Sequence, residues 1–235
     1  LIQRLVTSNP SPGYIYRVAS AFDDNGHGVR GDLAAVAKAI LMDEEARNPV
    51  HTQDPRFGKL KEPILRMTGL IRAFYAFQTD SPPTLGRFGL STDVLGPLGQ
   101  APLYAPSVFN FFDKDYRPMG PIADAGLVAP EFQITSEASV VTGANYFHQG
   151  IDRGFATDSG FLERITLNLA ELLDQGVNAD GALDLLDLVL MSGQMSPETR
   201  GVLRDTLLDI CPDTIYRAES ALQLLITAPE YVIQR

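Results

Sequence analysis

Apolar residues recur at helical spacing through most of the chain. Ser11-Pro12 reads as an N-cap followed by a first-turn proline, and Ile15, Val18, Ala19 and Phe22 then share one helix face. Asp32 is predicted to cap a second helix that carries Leu33, Val36, Ala37, Ile40 and Leu41. The same spacing predicts later helices at about 62–78, 131–149, 159–174, 179–191, 197–210 and 214–227. No stretch has a convincing strand alternation.

Residues from about 80 to 130 follow a different pattern. Prolines and glycines punctuate this stretch, and proline removes a backbone donor and fixes φ, so a long helix cannot cross it. It also carries an aromatic load that a solvated linker would lack, which predicts an ordered loop packed over the helices. The predicted fold is therefore mainly α: a multi-helix orthogonal bundle with a long ordered Pro/Gly/aromatic loop at about 80–130.

The length of 235 residues suits one large domain or two small ones. We expect a single helical domain over 1–235, with an alternative sub-division into 1–152 and 153–235. The chain opens on Leu1, and residues 1–6 already resemble the end of an amphipathic helix. The sequence is therefore interpreted as the C-terminal part of a longer protein.

Composition narrows the function classes. A net charge of −10 argues against nucleic-acid binding, which needs clustered Lys and Arg. No run of about 18 apolar residues exists that would predict a membrane span. Cys211 is the single cysteine, which excludes internal disulfides and cysteine-based zinc sites and favours a buried filler role.

Metal and cofactor motifs are weak in this sequence. The turn from Asp23 to Asp32 resembles a calcium loop only at its start, because Arg30 adds positive charge and Ala34 occupies the position of the bidentate Glu. His27, His51 and His148 lie far apart, so we expect no metal site and no cofactor. Residues 39–47 faintly resemble 224–231, which we interpret as two helix ends of similar chemistry rather than a duplication.

The richest polar cluster spans about 99–137. Its candidate ligand- or partner-binding residues are Gln100, Ser107, Asn110, Arg117, Glu131, Ser136 and Glu137. Glu131 and Glu137 could act as a general acid and base, with Arg117 holding an anion. The structural alternative is favoured: Glu131 stabilises a helix N-terminus, and Arg117 pairs with Asp113 or Asp115. Asn110 is then a turn residue.

Several stretches together resemble a known family. They include "RLVTSNPSPGYIYRVASAFDDNGHGVRGDLAAVAKAILMDEEAR", "LGQAPLYAPSVFNFFDKDYRPMG", "LVAPEFQITSEAS" and "ALQLLITAPEYVIQR". In this order they resemble the C-terminal half of the bacterial domain-of-unknown-function 1800 family. The resemblance implies a mainly helical protein, export to the periplasm or cell surface, and two partners: its own N-terminal half and a protein related to sulfatases and alkaline phosphatases. It implies no catalytic residue.

Three functional hypotheses follow. The first is a non-catalytic scaffold or partner-binding subunit that uses residues 96–137 for recognition. The second is a hydrolase of a cell-envelope or extracellular polymer, whose site would be shared with the missing N-terminal half. The third is a surface or filament component. The sequence leaves the question of enzymatic activity open.

Overall fold

The computed structural model describes residues 1–74, 77–78, 95–157, 160–175, 178–209 and 214–235. Its first helices are α1 (Ile2–Leu5), α2 (Pro12–Asp23), α3 (Leu33–Leu41), α4 (Glu44–Arg47), α5 (Pro63–Ala73), α6 (Leu95–Leu98) and α7 (Pro121–Asp124). The remainder are α8 (Glu137–Arg153), α9 (Ala170–Gln175), α10 (Ala179–Leu186), α11 (Pro197–Asp209), α12 (Thr214–Thr227) and α13 (Pro229–Val232). The fold is mainly α, as the sequence predicts. The predictions for residues 80–94 and for Cys211 lie outside the described residues.

Five short strands accompany the helices. They are β1 (Lys59–Leu60), β2 (Phe77–Gln78), β3 (Phe155–Thr157), β4 (Gly160–Thr166) and β5 (Ile233–Gln234). Strand β1 pairs antiparallel with β5, while β4 lies between β2 and β3, antiparallel to both. Short 3₁₀ turns occupy Pro49–Gln53 and Pro130–Ile134, and a π-helical turn at Asp187–Met191 continues α10.

The predicted helix at 159–174 is wrong, because β4 and α9 occupy that region. Buried Ile165, Leu167 and Leu169 alternate with less buried neighbours, which is the period of an extended chain. The prediction that no stretch has a convincing strand alternation is also wrong, since Ile165, Leu167 and Leu169 alternate with polar residues in the sequence. Helix α5 ends at Ala73 instead of continuing to residue 78, and Phe77–Gln78 pairs with β4.

The chain divides into two compact units. Unit 1 comprises residues 1–61, 109–133 and 233–235, and unit 2 comprises 62–108 and 134–232. These boundaries differ from the alternative sub-division at 152, and the single domain stays a prediction. Among the described residues, no helix is long and apolar enough to cross a membrane.

Unit 1 has a small core, whose buried members are Ile2, Val6, Tyr14, Val36 and Ile40. The face predicted for α2 is wrong: Ile15 and Phe22 are exposed, while Tyr14 is fully buried and Val18 packs against the core. Tyr14 lies inward because its hydroxyl donates to the carbonyl oxygen of Ile40 at 2.6 Å, so a polar tip is satisfied inside an apolar layer.

Unit 2 contains the larger core, built from α5, α8, α10, α11 and α12 around residues such as Met67, Phe147 and Leu222. The small residues of α8 allow another segment of the chain to approach closely. Gly143 faces the carbonyl oxygen of Pro97, to which the Thr142 hydroxyl donates at 3.2 Å.

The loop prediction holds only in part for residues 95–130. Helices α6 and α7 interrupt this stretch. Leu103, Val108 and Phe109 are exposed rather than packed over the helices, and Phe111 and Phe112 are half-buried. The part of the chain from 102 to 109 therefore presents its apolar side chains to solvent.

Candidate functional site

The candidate residues of the sequence fall into both compact units. Asn110, Arg117 and Glu131 belong to unit 1, whereas Gln100, Ser107, Ser136 and Glu137 belong to unit 2. Ser136 is the N-cap of α8, and Glu137 is its first residue. The Ser136 hydroxyl accepts from the backbone N–H of Ser139, and the Ser139 hydroxyl accepts from the backbone N–H of Ser136. This capping box gives Ser136 a structural role.

Gln100 is buried beside the start of α5. Its Nε2 donates to Glu62 Oε2 at 2.5 Å, and its Oε1 accepts from the backbone N–H of Ile64 at 3.3 Å. The amide thus supplies an acceptor to the N-terminal turn of α5, where a backbone donor has no partner within the helix. Gln100 is therefore occupied by the fold.

Glu131 is only 2% exposed and is the second residue of the 3₁₀ turn Pro130–Ile134, ahead of α8, which begins at Glu137 rather than at residue 131. Its Oε1 lies 3.3 Å from Nζ of Lys59, whose side chain is fully enclosed and also donates to the carbonyl oxygen of Arg4 at 2.7 Å. No local pattern predicts this pair, because Lys59 and Glu131 are brought together only by folding.

The three remaining candidates lie at the surface or in a turn. Asn110 has a φ of 73°, the left-handed conformation that Asn tolerates, so it is a turn residue as predicted. Arg117 and Ser107 are exposed. The carboxylate of Asp115 is paired with Lys114.

A cavity of about 410 Å³ opens on unit 1, away from the predicted residues. It is bounded by the start of α2, the segment between α4 and β1, and the loop before Pro130. Its lining consists of Asn9, Pro10, Ser11, Pro12, Glu45, His51, Asp54, Arg56, Phe57 and Leu127. Cavities of this size with convergent polar groups are the usual form of small-ligand sites.

Ser11 and Glu45 form a fixed corner of this cavity. Ser11 caps α2 by accepting from the backbone N–H of Tyr14 at 3.1 Å. It also donates its own N–H to Glu45 Oε1 at 2.9 Å and its hydroxyl to Glu45 Oε2 at 2.5 Å. The carboxylate therefore sits at the N-terminus of α2, where the helix dipole favours a negative charge.

Arg17 ties a second carboxylate to the same corner. Its Nε and Nη2 each lie 2.7 Å from an oxygen of Asp43, and Nη2 lies 4.0 Å from Glu45. The hydrogen bonds from Arg17 hold the pKa of Asp43 below its ordinary value. Asp43 also accepts from the backbone N–H of Glu45, so one carboxylate fixes both α2 and the start of α4.

The opposite wall carries His51, Asp54 and Arg56. His51 Nε2 lies 3.1 Å from Glu44 Oε2, and this contact lowers the pKa of Glu44. Arg56 binds both oxygens of Asp54, at 3.0 and 2.8 Å, which lowers the pKa of Asp54 to about 2. Asn9 exchanges two hydrogen bonds of 2.9 Å with the backbone of Val128, which fixes the cavity edge.

Unit 2 repeats the serine–glutamate arrangement. Ser196 precedes Pro197, its hydroxyl accepts from the backbone N–H of Thr199, and its N–H and hydroxyl donate to Glu230 at 3.1 and 3.2 Å. Both pairs are separated by 34 residues. The same serine–glutamate contact thus joins the two ends of a helical hairpin in each unit. The similarity of 39–47 to 224–231 therefore includes a shared tertiary contact as well as helix-end chemistry. This recurrence gives Glu45 a structural role as well as a place in the cavity wall.

Sequence reasoning missed the cavity because its residues are ordinary in isolation. His51 has no neighbouring His, and Glu45 lies within a run of charges. The available signal was the Ser-Pro cap followed 34 residues later by Glu, which occurs at Ser11 and again at Ser196. Among the described residues, no group of His, Cys, Asp and Glu side chains is arranged to hold a metal ion.

A mainly helical fold with two compact units defines the structural class of this protein. The family model described as "Protein of unknown function (DUF1800)" matches residues 1–233, and the chain belongs to that family. The resemblance seen in the sequence is therefore confirmed, while its restriction to the C-terminal half stays a prediction. No curated protein and no solved structure matches the chain.

Proposed function

We propose that this chain is a non-catalytic, partner-binding helical module. The observation that carries the proposal is the exposure of Leu103 (103%) and Val108 (95%) within one short segment. Large side chains exposed together are characteristic of interaction surfaces, whereas single exposed apolar residues are common everywhere. We refer to residues 102–108 as the apolar segment.

The backbone of the apolar segment supports a recognition role. Leu103 has a φ of 65°, a conformation that costs a residue with a Cβ about 1 kcal/mol or more. Burial of the side chain does not offset this strain, because Leu103 is fully exposed. Residues held in such strained conformations cluster at active sites, ligand clamps and switch regions, which supports a recognition role for the apolar segment.

The identity of the partner follows only from the family resemblance. We propose a protein related to sulfatases and alkaline phosphatases, together with the protein's own N-terminal half, at the periplasm or cell surface. The hydrolase and the filament component stay alternative predictions. The cavity of unit 1 contains neither Glu131 nor Glu137 in its lining, so it lends the proposed acid–base pair no support.

The test is affinity capture of the tagged protein from its native cells. The Leu103→Ser, Val108→Ser double variant is compared with wild type, and Val202→Ser provides the matched control because Val202 is exposed on α11. Circular dichroism verifies that each variant folds. We expect the double variant to lose specifically bound proteins that wild type and Val202→Ser retain. Equal recovery with all three proteins would refute the proposal.

A further inference from the structure

The cavity of unit 1 has an apolar wall as well as a polar one. Pro10, Pro12, Phe57 and Leu127 line it, and the Phe57 ring lies 6.0 Å from the His51 ring, centroid to centroid. These side chains offer contact to a short hydrocarbon body. They leave open which charged or polar group such a ligand would carry.

Its groups that attract anions are already satisfied within the fold. The backbone N–H of Ser11, at the N-terminus of α2, donates to Glu45, and the guanidinium of Arg56 binds both oxygens of Asp54. An anionic ligand would have to displace an internal carboxylate from one of these donors. It would also be repelled by the carboxylates of Glu45 and Asp54, because the lining contains a single guanidinium, that of Arg56, to balance their charges.

The cavity retains acceptor capacity for a cation. A carboxylate has about four acceptor positions, and Glu45 uses one on each oxygen for Ser11. Arg17 is 4.0 Å from Glu45, beyond ordinary hydrogen-bond distance. The hydrogen bonds that position Glu45, Asp54 and Asn9 exist before any ligand arrives, so binding requires little reorganisation.

We propose that this cavity binds an alkylammonium group, with the ammonium at Glu45 and the aliphatic stem against Phe57 and the proline wall. A free amine and the lysine side chain of a peptide share this chemistry. The net charge of −10 would favour the approach of either ligand. The inference is independent of the apolar segment, since it concerns a different surface.

The test titrates the 235-residue chain with cadaverine and follows backbone amide NMR shifts and calorimetric heats. Glutarate and 1,5-pentanediol are probes of similar length with negative and zero charge. We expect cadaverine to shift the amides of Ser11, His51 and Phe57, with much smaller shifts for the other two. Comparable shifts from glutarate or pentanediol, or cadaverine shifts confined to other residues, would overturn the proposal.

Two variants locate the ammonium. Glu45→Gln should weaken cadaverine binding about tenfold, the loss expected for one charge-assisted contact. Because Glu45 also closes a hairpin, Asp54→Asn is the second variant; its pair with Arg56 is partly exposed, so the fold should persist. Glu198→Gln, at an exposed carboxylate on α11, is the control. Unchanged affinity in a folded Glu45→Gln variant, or in Asp54→Asn where Glu45→Gln does not fold, would contradict the proposal.

The source of the amine is resolved by the peptide acetyl-Ala-Lys-Ala-amide. Tighter binding of this peptide than of cadaverine supports a chain-borne lysine as the ligand, whereas tighter binding of cadaverine supports a free amine. Absence of binding by both probes would overturn the proposal.

Discussion

Individual polar residues of unit 1 are fixed by pairs that join distant parts of the chain. Asp43 is 6% exposed in its side chain, binds Arg17 through both oxygens and accepts from the backbone of α4. The sequence does not identify Arg17 and Asp43 as partners, since charged residues 26 positions apart have no recognisable spacing. Folding joins them into an anchor in which Asp43 is enclosed and Arg17 is half exposed.

The Arg17–Asp43 pair predicts a defined pH dependence of stability. The hydrogen bonds of Arg17 lower the pKa of Asp43 from its ordinary 3.8 in the folded state. Its contribution is therefore complete above pH 3.8 and is lost as the pH falls through the lower folded-state pKa. Asp43→Asn should cost about 1–2 kcal/mol at pH 7, a range reduced because Arg17 is half exposed.

The measurement is the melting temperature of wild type and Asp43→Asn between pH 7 and pH 2.5. The gap between the two proteins should be constant at neutral pH and should narrow below pH 3.8. The Asp54–Arg56 pair is present in both proteins, so its own titration toward a pKa of about 2 cancels in the comparison. A gap that stays constant to pH 2.5 would contradict the assignment.

At the scale of elements, the two serine–glutamate pairs close helical hairpins in the same way. Each serine caps the first helix of its hairpin, and each glutamate lies after the second long helix, at the start of a short one. The sequence predicts the caps, because Ser-Pro is a local signal. It does not predict the partner 34 residues away, since that contact depends on how the helices turn back on each other.

The hairpin of unit 2 offers a clean test of this device. Ser196→Ala and Glu230→Gln should each lower the free energy of unfolding by about 1–2 kcal/mol, as caps and charged hydrogen bonds do. Because the two changes remove the same contact, the double variant should cost less than their sum. Urea unfolding of the four proteins completes the cycle. Strictly additive costs would mean that the two residues act separately.

Helix α8 packs through two glycines with opposite tolerances. A Cβ at Gly150 would overlap the ring of buried Phe155, whereas a Cβ at Gly143 would lie 3.6 Å from the carbonyl oxygen of Pro97, an ordinary contact. Alanine is worth about 1 kcal/mol more than glycine inside a helix. Gly143→Ala should therefore be neutral or stabilising.

Gly150→Ala should instead destabilise the protein by about 1–3 kcal/mol, because overpacking outweighs the gain in helix propensity. Chemical denaturation of the two variants, compared with wild type, checks both signs. A stabilised Gly150→Ala variant would show that the contact with Phe155 yields easily.

At the scale of the whole molecule, two cores of unequal size stabilise the two compact units. Among the described residues, the core of unit 1 has five buried apolar members, whereas that of unit 2 draws on five helices longer than seven residues. Hydrophobic stabilisation grows with the apolar area removed from water. The helices of unit 1 should therefore open more readily.

Amide hydrogen exchange measures this difference directly. We expect the backbone amides of α2 and α3 to exchange faster than those of α8 and α12. Ile40 is a fully buried residue of unit 1. The Ile40→Ala substitution should lower the free energy of unfolding by about 2–5 kcal/mol and should accelerate exchange first in α2 and α3. Equal protection in all four helices would indicate that the molecule opens as one cooperative unit.

The sequence by itself determined the helices that carry strong local signals: the starts of α2, α3 and α10, and the boundaries of α12. These features depend on caps, prolines and apolar spacing within a few residues, so local chemistry is sufficient. The family is likewise recognisable from contiguous stretches alone.

Tertiary structure alone decided how the strand at 160–166 pairs with β2 and β3, the inward turn of Tyr14, the enclosure of Glu131 by Lys59, and the cavity at Ser11, Glu45 and His51. Strand pairing and ion pairing join residues tens of positions apart, and their free energy exists only when the partners meet. Helices form where local signals are strong. Local propensity is too weak to oppose non-local contacts, so the position of the cavity could not be predicted from local patterns.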